Sequence, residues 1–438
     1  MLLDELKNKK VLILGFAREG KDTLLFLKKK FPHQVFGIAD RKTSLSLNFN
    51  GREKHTILHL GKNYLTALKK YDVIIKSPGI SPRTIAPFLK KKQKVTSQTE
   101  IFFENCPGTI IGVTGTKGKS TTASLIYAVL KQGGVKAHLI GNIEVPVLQF
   151  LNPSTLLRTT PEDVFVYELS SFQLTNLPLS PHIAVLLNIY PEHLDYYGGN
   201  FRLYANAKAN ITKHQTAEDF LIYNSKDPEV CKIVKSSKAQ KIPFADTKRD
   251  SVPKLGTESL SIVASVEPAV LIGKLFGIPE KKIQQAIRNF KPLPHRLERV
   301  GSYKGITFYN DSLATIPEAT IAAIEALGPK VHTLVAGGFD RGLDMEKLGK
   351  KIEKSNIQTL VLFPTTGKKI LATIKKPPRA FFAKTMKEAV KLCYLHTPKG
   401  KICLLSPASS SFNMFKDYKD RGEQFTKWVK IFGHGKKT

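Results

Sequence analysis

A glycine-rich loop with two lysines is the part of the sequence best suited to chemistry. It runs from Gly112 to Thr121, reads GVTGTKGKST, and follows an apolar stretch typical of a buried strand. Backbone N–H groups in such a loop can surround a phosphate at the positive end of the next helix. Lys119 would contact the β- and γ-phosphates, and the Ser120 hydroxyl would bind Mg²⁺. Five residues separate Gly112 from Gly118, one more than the standard spacing. We interpret the segment as a nucleoside-triphosphate loop of variant spacing, with a purely structural glycine turn as the alternative.

Acidic and imidazole side chains follow two later apolar stretches. Glu168 ends the stretch VFVYE, and His193 and Asp195 come shortly after the stretch AVLLNIY. Because ligands bind at the carboxyl ends of parallel strands, Glu168 is placed to hold Mg²⁺. A lone histidine is more often a surface or packing residue, but beside a phosphate loop and Glu168 we expect His193 to act in the site.

The N-terminal segment carries a second, weaker loop pattern. Gly15, Ala17 and Gly20 form a degraded G-x-G-x-x-G, and Asp40 lies 20 residues after Gly20 at the end of an apolar stretch. Taken alone, this pattern indicates a dinucleotide fold in which Asp40 binds a ribose. It would suit an NAD(P) dehydrogenase, but the sequence offers no candidate redox substrate site.

The charge balance is strongly basic. The chain has 68 Lys and Arg against 36 Asp and Glu, a net charge of +32. Such an excess favours polyanionic partners, including nucleic acid, anionic membranes and phosphate-rich small molecules. The lysines are nevertheless spread in short runs, without a long basic tail or interleaved aromatic residues. Charge alone therefore does not assign a function, and no specific nucleic-acid partner is expected.

Length and composition indicate a soluble, multidomain cytoplasmic protein. The 438 residues are 42% hydrophobic, enough to build large cores in two or three domains. Four scattered cysteines do not form a disulfide pattern, and no apolar run reaches the roughly 18 residues that cross a bilayer. The N-terminus lacks the order of a signal peptide. We expect no membrane association, and a monomer.

The order of elements predicts an α/β fold with parallel sheets. Strands are expected at residues 11–14, 35–40, 73–76, 109–113, 333–336, 359–363 and 402–405, with helices at 22–30 and from the glycine-rich loop to about 132. Continuous apolar strands that alternate with helices are typical of parallel sheets. Composition and turn signals divide the chain into three α/β domains, at residues 1–105, 106–293 and 294–438.

The sequence resembles the Mur ligases of bacterial cell-wall synthesis, and within them the D-glutamate-adding MurD type. Ordered matching stretches span the whole chain: SPGI (77–80), TGTKGKST (114–121), GNI (141–143), ELSSFQL (168–174), EHLD (192–195), YANAK (204–208), PHRLE (294–298), NDS (310–312), GGFDRG (337–342) and LSPA (405–408). LLSPASSSF, followed by residues 419–422, points to MurD. The resemblance implies three domains: an N-terminal Rossmann-like domain for a UDP-substrate, a central P-loop ATPase-like domain, and a C-terminal Rossmann-like domain for glutamate.

The resemblance also implies an activity. An ATP-dependent acid–D-amino-acid ligase would phosphorylate the carboxylate of UDP-N-acetylmuramoyl-L-alanine to an acyl phosphate, which the amine of D-glutamate attacks. ATP and Mg²⁺ are the implied cofactors. Such catalysis depends on positioning and charge neutralisation, without a covalent enzyme intermediate.

The family match extends to site residues. Catalysis is expected from Lys119, Lys208, His193 and Glu168; the implied metal ligands are Ser120, Glu168, His193 and Lys208, the last as a carbamylated lysine. ATP is expected at Gly115, Thr116, Lys117, Gly118, Lys119, Ser120, Thr121, Arg296 and Asp311. The UDP-substrate is expected at Arg18, Asp40, Arg41, Ser77, Gly79, Asn142 and Ser170, and glutamate at Thr315, Arg341, Ser411 and Tyr418.

Two departures from the MurD pattern concern substrate choice. The usual DSKATN reads DSLATI here, so Leu313 and Ile316 replace a lysine and an asparagine. The usual HNxxN stretch is also absent near residues 261–270. Two alternatives therefore stay open: a related Mur or folylpolyglutamate-type ligase with another acceptor or amino acid, and a basic nucleic-acid-binding ATPase. The N-terminal α/β domain counts against the folate alternative.

Overall fold

The computed structural model describes residues 1–45, 55–141, 147–151, 160–245, 263–290, 294–340, 342–412 and 414–435. These residues form two compact units. The first comprises residues 1–253 and 264–290, and the second comprises residues 254–263 and 291–438. Among the described residues, no helix is long and apolar enough to cross a membrane.

The first sheet of unit 1 is parallel and has five strands. Its elements are β1 (Val11–Leu14), α1 (Arg18–Lys30), β2 (Phe36–Asp40), β3 (Thr56–Leu60), β4 (Val73–Lys76), α2 (Pro82–Ile85), β5 (Lys94–Thr96) and α3 (Gln98–Asn105). The strand order is β3-β2-β1-β4-β5, so β1 lies centrally between β2 and β4. The loops after β1 and β4 therefore meet at the carboxyl edge, where a ligand can bind.

The second sheet of unit 1 is also parallel and has six strands. Its elements are β6 (Thr109–Thr114), α4 (Lys119–Gly133), β7 (Ala137–Gly141), β8 (Val164–Glu168), α5 (Ser171–Leu174), β9 (Ile183–Leu186), α6 (Phe201–Lys213), β10 (Phe220–Asn224), α7 (Pro228–Ser236), β11 (Gln240–Phe244), α8 (Val263–Leu275) and α9 (Glu280–Asn289). The strand order is β11-β10-β9-β6-β8-β7. Strand β6 is flanked by β8 and β9, and chain order reverses there.

Unit 2 contains the third sheet. Its elements are β12 (Glu298–Tyr303), β13 (Ile306–Asn310), α10 (Pro317–Leu327), β14 (Val331–Gly337), α11 (Glu346–Glu353), β15 (Thr359–Phe363), α12 (Thr366–Ala372), β16 (Arg379–Phe382), α13 (Met386–His396), β17 (Ile402–Leu405) and α14 (Tyr418–Gly433). The order is β12-β13-β17-β14-β15-β16, and only the β12–β13 pair is antiparallel among these neighbours.

The predicted elements are confirmed, with boundaries that shift by a few residues. The strands expected at 359–363 and 402–405 have those bounds, whereas the strand expected at 333–336 extends to Val331–Gly337 and helix α1 begins earlier, at Arg18. Continuous burial of β1, β4, β8, β15 and β17 explains why apolar runs predicted them. Each of the three predicted domains contains one sheet, and the predicted boundaries between the domains stay a prediction.

Candidate active site

The glycine-rich loop joins β6 to α4 in unit 1. Gly118 precedes the first residue of α4 and has φ +85°, a left-handed conformation that costs glycine little. A Cβ added at Gly115 would lie 2.8 Å from Cβ of Leu187. Gly118 therefore turns the chain, and Gly115 allows it to pass close to the segment after β9.

Neighbouring segments hold this loop in shape. The amide of Thr116 donates to the carbonyl of Asn188 at 2.7 Å, and the amide of Lys117 donates to Oδ1 of Asn188 at 2.8 Å. Because these two amides already have acceptors, the amides from Gly118 into the first turn of α4 are the ones oriented to bind a phosphate.

Two lysine side chains converge on the loop. Nζ of Lys119 donates to the carbonyls of Gly115 and Thr116 at 3.0 and 2.9 Å, and Nζ of Lys208 donates to the carbonyl of Gly115 at 2.8 Å. Lys208 is only 1% exposed. Burial, reinforced by the positive charge of Lys119, lowers the pKa of Lys208 well below its usual value. The two lysines predicted from the sequence thus have neighbouring ammonium groups in the structure.

Tyr204 supports Lys208 and was not predicted. It lies four residues earlier on α6, so both side chains occupy one face of that helix. Nζ of Lys208 lies 4.9 Å from the Tyr204 ring centre, and the Tyr204 hydroxyl is 2.9 Å from that of Thr116. The i, i+4 spacing of Tyr204 and Lys208 in YANAK was the sequence signal that could have identified this tyrosine. In the structure, Tyr204 connects Lys208 to the glycine-rich loop.

Glu168 lies at the end of β8, in register with Val113 of β6. Its side chain is 2% exposed, and Oε2 has no hydrogen-bond partner among the described residues. A buried carboxylate oxygen without a partner is costly unless a cation binds it. The negative charge of Glu168 also acts on Lys208. These observations fit a Mg²⁺ ligand.

His193 and Glu192 lie on the loop that follows β9. Oε1 of Glu192 and Nζ of Lys117 form an ion pair of 2.7 Å. Burial acts to raise the pKa of Glu192, but the ion pair with Lys117, together with the nearby charge of Lys119, holds that pKa below its usual value. His193 packs on Phe172, with ring centres 4.9 Å apart, and burial lowers the pKa of His193. A neutral imidazole is the form that binds a metal.

A cavity of about 330 Å³ brings the two lysines, Tyr204, Glu192 and His193 together, whereas Glu168 and Ser120 are not among its lining residues. Its lining residues are Glu19, Pro78, Lys119, Ser170, Ser171, Phe172, Gln173, Glu192, His193, Tyr204 and Lys208. Within the described residues no group of three His, Cys, Asp or Glu side chains has metal-binding spacing. Mg²⁺ commonly takes one or two carboxylates, with phosphates and water completing its shell. Glu168, Ser120 and His193 therefore suit a metal that binds together with a nucleotide, and a carbamate on Lys208 would add an oxygen ligand.

A larger cavity of about 820 Å³ lies at the loops after β1 and β4. Five predicted UDP-substrate residues line it: Arg18, Asp40, Arg41, Ser77 and Gly79. Ser170 lines the smaller cavity instead, and Asn142 lies outside the described residues. The structure thus brings five of the seven predicted residues, from separate loops, around one cavity whose volume is typical of small-molecule sites.

Asp40 shapes the loop of this cavity. Its carboxylate accepts the amide of Phe16 at 2.6 Å and the amide of Lys42 at 2.9 Å. The hydroxyl of Ser77 donates to the carbonyl of Gly15 at 2.9 Å. Both side chains thus hold backbone segments around the cavity, and direct contact with the ligand stays a prediction.

The remaining predicted residues lie in unit 2. Asp311 is buried and accepts hydrogen bonds from the Ser406 hydroxyl at 2.8 Å and the Leu297 amide at 3.1 Å. Burial raises the pKa of Asp311 to about 7, while the positive charge of Arg296 opposes the shift. Asp311 and Arg296 thus influence each other. Their predicted contact with ATP remains a prediction.

Arg421 on α14 joins the two loops that carry the predicted glutamate residues Thr315 and Ser411. This arginine is fully buried: Nε and Nη2 donate to the hydroxyl and carbonyl of Ser312 at 3.0 and 2.8 Å, and Nη1 donates to the carbonyl of Ser409 at 3.0 Å. The Ser312 hydroxyl in turn donates to the carbonyl of Tyr418 at 2.8 Å. Thr315 and Ser411 lie three and two residues from these anchors, whereas Arg341 lies outside the described residues. Arg421 stands in the quoted MurD-like segment 419–422, but the sequence did not mark it as an anchor.

We expect Arg421→Lys to destabilise unit 2 by about 3 kcal/mol, because the single nitrogen of lysine cannot reach acceptors that are arranged around the three nitrogens of a planar guanidinium. Differential scanning calorimetry should show a lower melting temperature, and Lys419→Ala, an exposed neighbour on the same helix, is the control. An unchanged melting temperature for Arg421→Lys would contradict the anchoring role.

Comparison with known proteins identifies the family. Residues 113–266 match the model of the Mur ligase middle domain, and residues 295–409 match the model of the Mur ligase glutamate ligase domain. A UDP-N-acetylmuramoylalanine–D-glutamate ligase of Acetivibrio thermocellus is 32% identical over 464 residues, covering 97% of each chain. The enzyme of that name from Lactiplantibacillus plantarum is also 32% identical, covering 98% of this chain and 97% of the relative.

Solved structures share the fold. MurF ligase from Thermotoga maritima, solved in complex with ADP, superposes with a TM-score of 0.60 at 18% identity, covering 96% of this chain and 95% of that one. The pseudomurein peptide ligase type C of Methanothermus fervidus gives 0.57 at 17% identity, covering 98% and 100%. With two matched domains and full-length relatives above 30% identity, the chain belongs to the Mur ligase family.

Proposed function

We propose that this protein is an ATP-dependent ligase that joins D-glutamate to UDP-N-acetylmuramoyl-L-alanine. The observation that carries the proposal is the convergence of Lys119, Lys208 and Glu168 beside a phosphate-type loop, next to a cavity that fits a UDP-sugar. The printed names of relatives at 32% identity support this choice of substrates. The enzyme would act in the cytoplasm, in the synthesis of the peptidoglycan precursors on which cell shape and division depend.

The reaction has two balanced steps. A carboxylate oxygen of the acceptor attacks the γ-phosphorus of ATP, and ADP leaves with the electrons of the broken P–O bond. The neutral amine of glutamate then attacks the acyl carbon, loses a proton, and the tetrahedral intermediate expels inorganic phosphate. Positive charge at the transferred phosphoryl group lowers both barriers.

Each residue of the site has a role that its position supports. Lys119 lies over the loop and would neutralise charge on the β- and γ-phosphates, while the first amides of α4 bind their oxygens. Bound Mg²⁺ supplies further charge neutralisation and orientation of the phosphates. Ser120, Glu168 and His193 are its proposed ligands. Lys208 joins them as a carbamate, formed when its neutral amine adds to CO₂ and releases one proton.

Phosphate release tests the proposal. The purified enzyme with Mg²⁺ and ATP should release phosphate only when UDP-N-acetylmuramoyl-L-alanine and D-glutamate are both present, and L-glutamate should not replace the D-enantiomer. Activity with folates and L-glutamate would favour the folylpolyglutamate-type alternative. Stimulation by DNA or RNA alone would contradict the ligase assignment.

The substitution Leu313→Lys tests the amino-acid pocket. The residue lies half-buried in the loop after β13, and its amide donates to the carbonyl of His295 at 3.0 Å. We expect the lysine variant to be tolerated or to raise turnover with D-glutamate, because it restores the cation that MurD-type sequences carry there. Leu313→Met is the size-matched control. A folded but inactive lysine variant would indicate a rebuilt pocket and another amino-acid substrate.

A further inference from the structure

The two cavities of unit 1 share three lining residues, Glu19, Pro78 and Gln173. The larger cavity is the proposed UDP-substrate site, and the smaller one contains Lys119, His193 and Lys208. A substrate that binds in the first and reacts in the second must pass between these three residues. Pro78 has no side-chain hydrogen-bonding group, so Glu19 and Gln173 supply the polar side chains of the passage.

Hydrogen bonds fix the orientation of Gln173. Its Oε1 accepts the amide of Ser170 at 2.9 Å and the hydroxyl of Ser170 at 3.0 Å. The amide nitrogen must therefore lie on the other side, where Nε2 donates to Oε1 of Glu19 at 3.2 Å. The passage thus has one acceptor, the Glu19 carboxylate, and one donor, the Gln173 amide, side by side.

A secondary amide is the ligand group that matches this pair. Its N–H can donate to Glu19 while its carbonyl accepts from Gln173, in exchange for the long 3.2 Å bond between the two side chains. The acceptor of the proposed function has such an amide one carbon from its reacting carboxylate. We propose that Glu19 is a specificity-determining residue that binds the alanyl amide N–H of the acceptor. This inference rests on the proposed function.

The charged surroundings of Glu19 predict a pH dependence. Lys76 at the end of β4 and the adjacent Arg18 favour the ionised form of Glu19, whereas Asp22, one turn later, disfavours that form. Gln173 of α5 donates to the Glu19 carboxylate, and Gln98 of α3 donates to the Glu19 backbone carbonyl. The Tyr167 hydroxyl on β8 is a further titratable group nearby. Burial outweighs the favourable contacts and raises the pKa of Glu19 to about 7. The carboxylate therefore protonates as the pH falls through 7, and the KM for the acceptor should rise there.

The test combines a variant with an acceptor analogue. In the analogue an ester replaces the alanyl amide, which removes the N–H and keeps the carbonyl. We expect the wild-type enzyme to lose about tenfold in kcat/KM on the ester, and Glu19→Ala to lose about tenfold on the amide substrate. Glu19→Ala should then use ester and amide equally well, with the KM for ATP unchanged.

Two further variants complete the design. Glu19→Gln keeps an acceptor oxygen and should retain most amide preference, but the rise in acceptor KM below pH 7 should disappear. Lys21→Ala, an exposed position on the same helix, should behave as wild type. If the losses caused by the ester and by Glu19→Ala were additive when the variant is given the ester, this inference would be overturned while the proposed function would stand. A wild-type enzyme that does not use the amide acceptor would overturn the proposed function as well.

Discussion

Lys208→Ala should reduce ligation by about a thousandfold or more. The side chain is almost completely buried between the loop and the acidic groups of the site, and the alanine variant removes the proposed carbamate ligand. Losses of this size are typical when a group that stabilises transition-state charge is removed. Phosphate release under saturating substrates measures the effect.

The fold should survive this substitution, since a buried lysine is itself expensive to desolvate. A circular dichroism spectrum and a melting temperature close to those of the wild type would show that the fold is intact. Lys213→Ala, exposed on the same helix α6, should keep full activity. If Lys208 is carbamylated, a small carboxylate such as acetate should restore part of the activity of the alanine variant but not of Lys119→Ala. Full activity of Lys208→Ala without any addition would contradict the assignment.

Lys119→Ala should abolish acyl-phosphate formation while the UDP-substrate still binds. The ammonium of Lys119 lies on the loop of the second sheet, and the predicted UDP-substrate residues lie mainly at the edge of the first sheet. Loss of charge neutralisation at the transferred phosphoryl group should lower kcat by at least about a hundredfold. Rapid-quench measurement of ADP formation tests the first step directly.

Calorimetric titration with the UDP-substrate separates binding from chemistry in this variant. The dissociation constant should change less than threefold, and Lys131→Ala in the last turn of α4 should match wild type in both measurements. A large loss of UDP-substrate affinity in Lys119→Ala would mean that the two cavities are not assigned correctly.

The active-site loop and its sheet could be predicted from sequence because their signals are local. Short, mainly apolar stretches such as IIGV and VFVY are buried in parallel sheets, so β6 and β8 were identified without knowledge of their neighbours. The loop GTKGKST has a conformation set by its own glycines, as the left-handed Gly118 shows. Glu168 followed from the rule that ligands gather at the carboxyl ends of parallel strands.

Pairings between distant segments could not be predicted in this way. Asn188 accepts hydrogen bonds from two amides of the loop, Tyr204 connects Lys208 to Thr116, and Arg421 joins the loops of Ser312 and Ser409. The sequence motifs around Tyr204 and Arg421 did not show which residues they contact. Most of these contacts join positions 71 to 109 residues apart in sequence, although the bond from Arg421 to Ser409 spans 12. Such contacts are specified by the whole fold and not by local preference.

The sequence by itself determined the α/β class, the phosphate loop, the order of its motifs and the residue types available for catalysis, because backbone propensity and apolar periodicity act over short distances. Only the tertiary structure decided which of these residues meet. It brought Lys119 and Lys208 to the glycine-rich loop with Glu168 nearby, bound the Asp40 carboxylate to an amide of the loop after β1, and placed Glu19 beside Gln173, 154 residues away in sequence. The physical reason is that burial in a shared cavity arises from the packing of separate elements, and the shifted pKa values of Lys208 and Glu19 follow mainly from that burial.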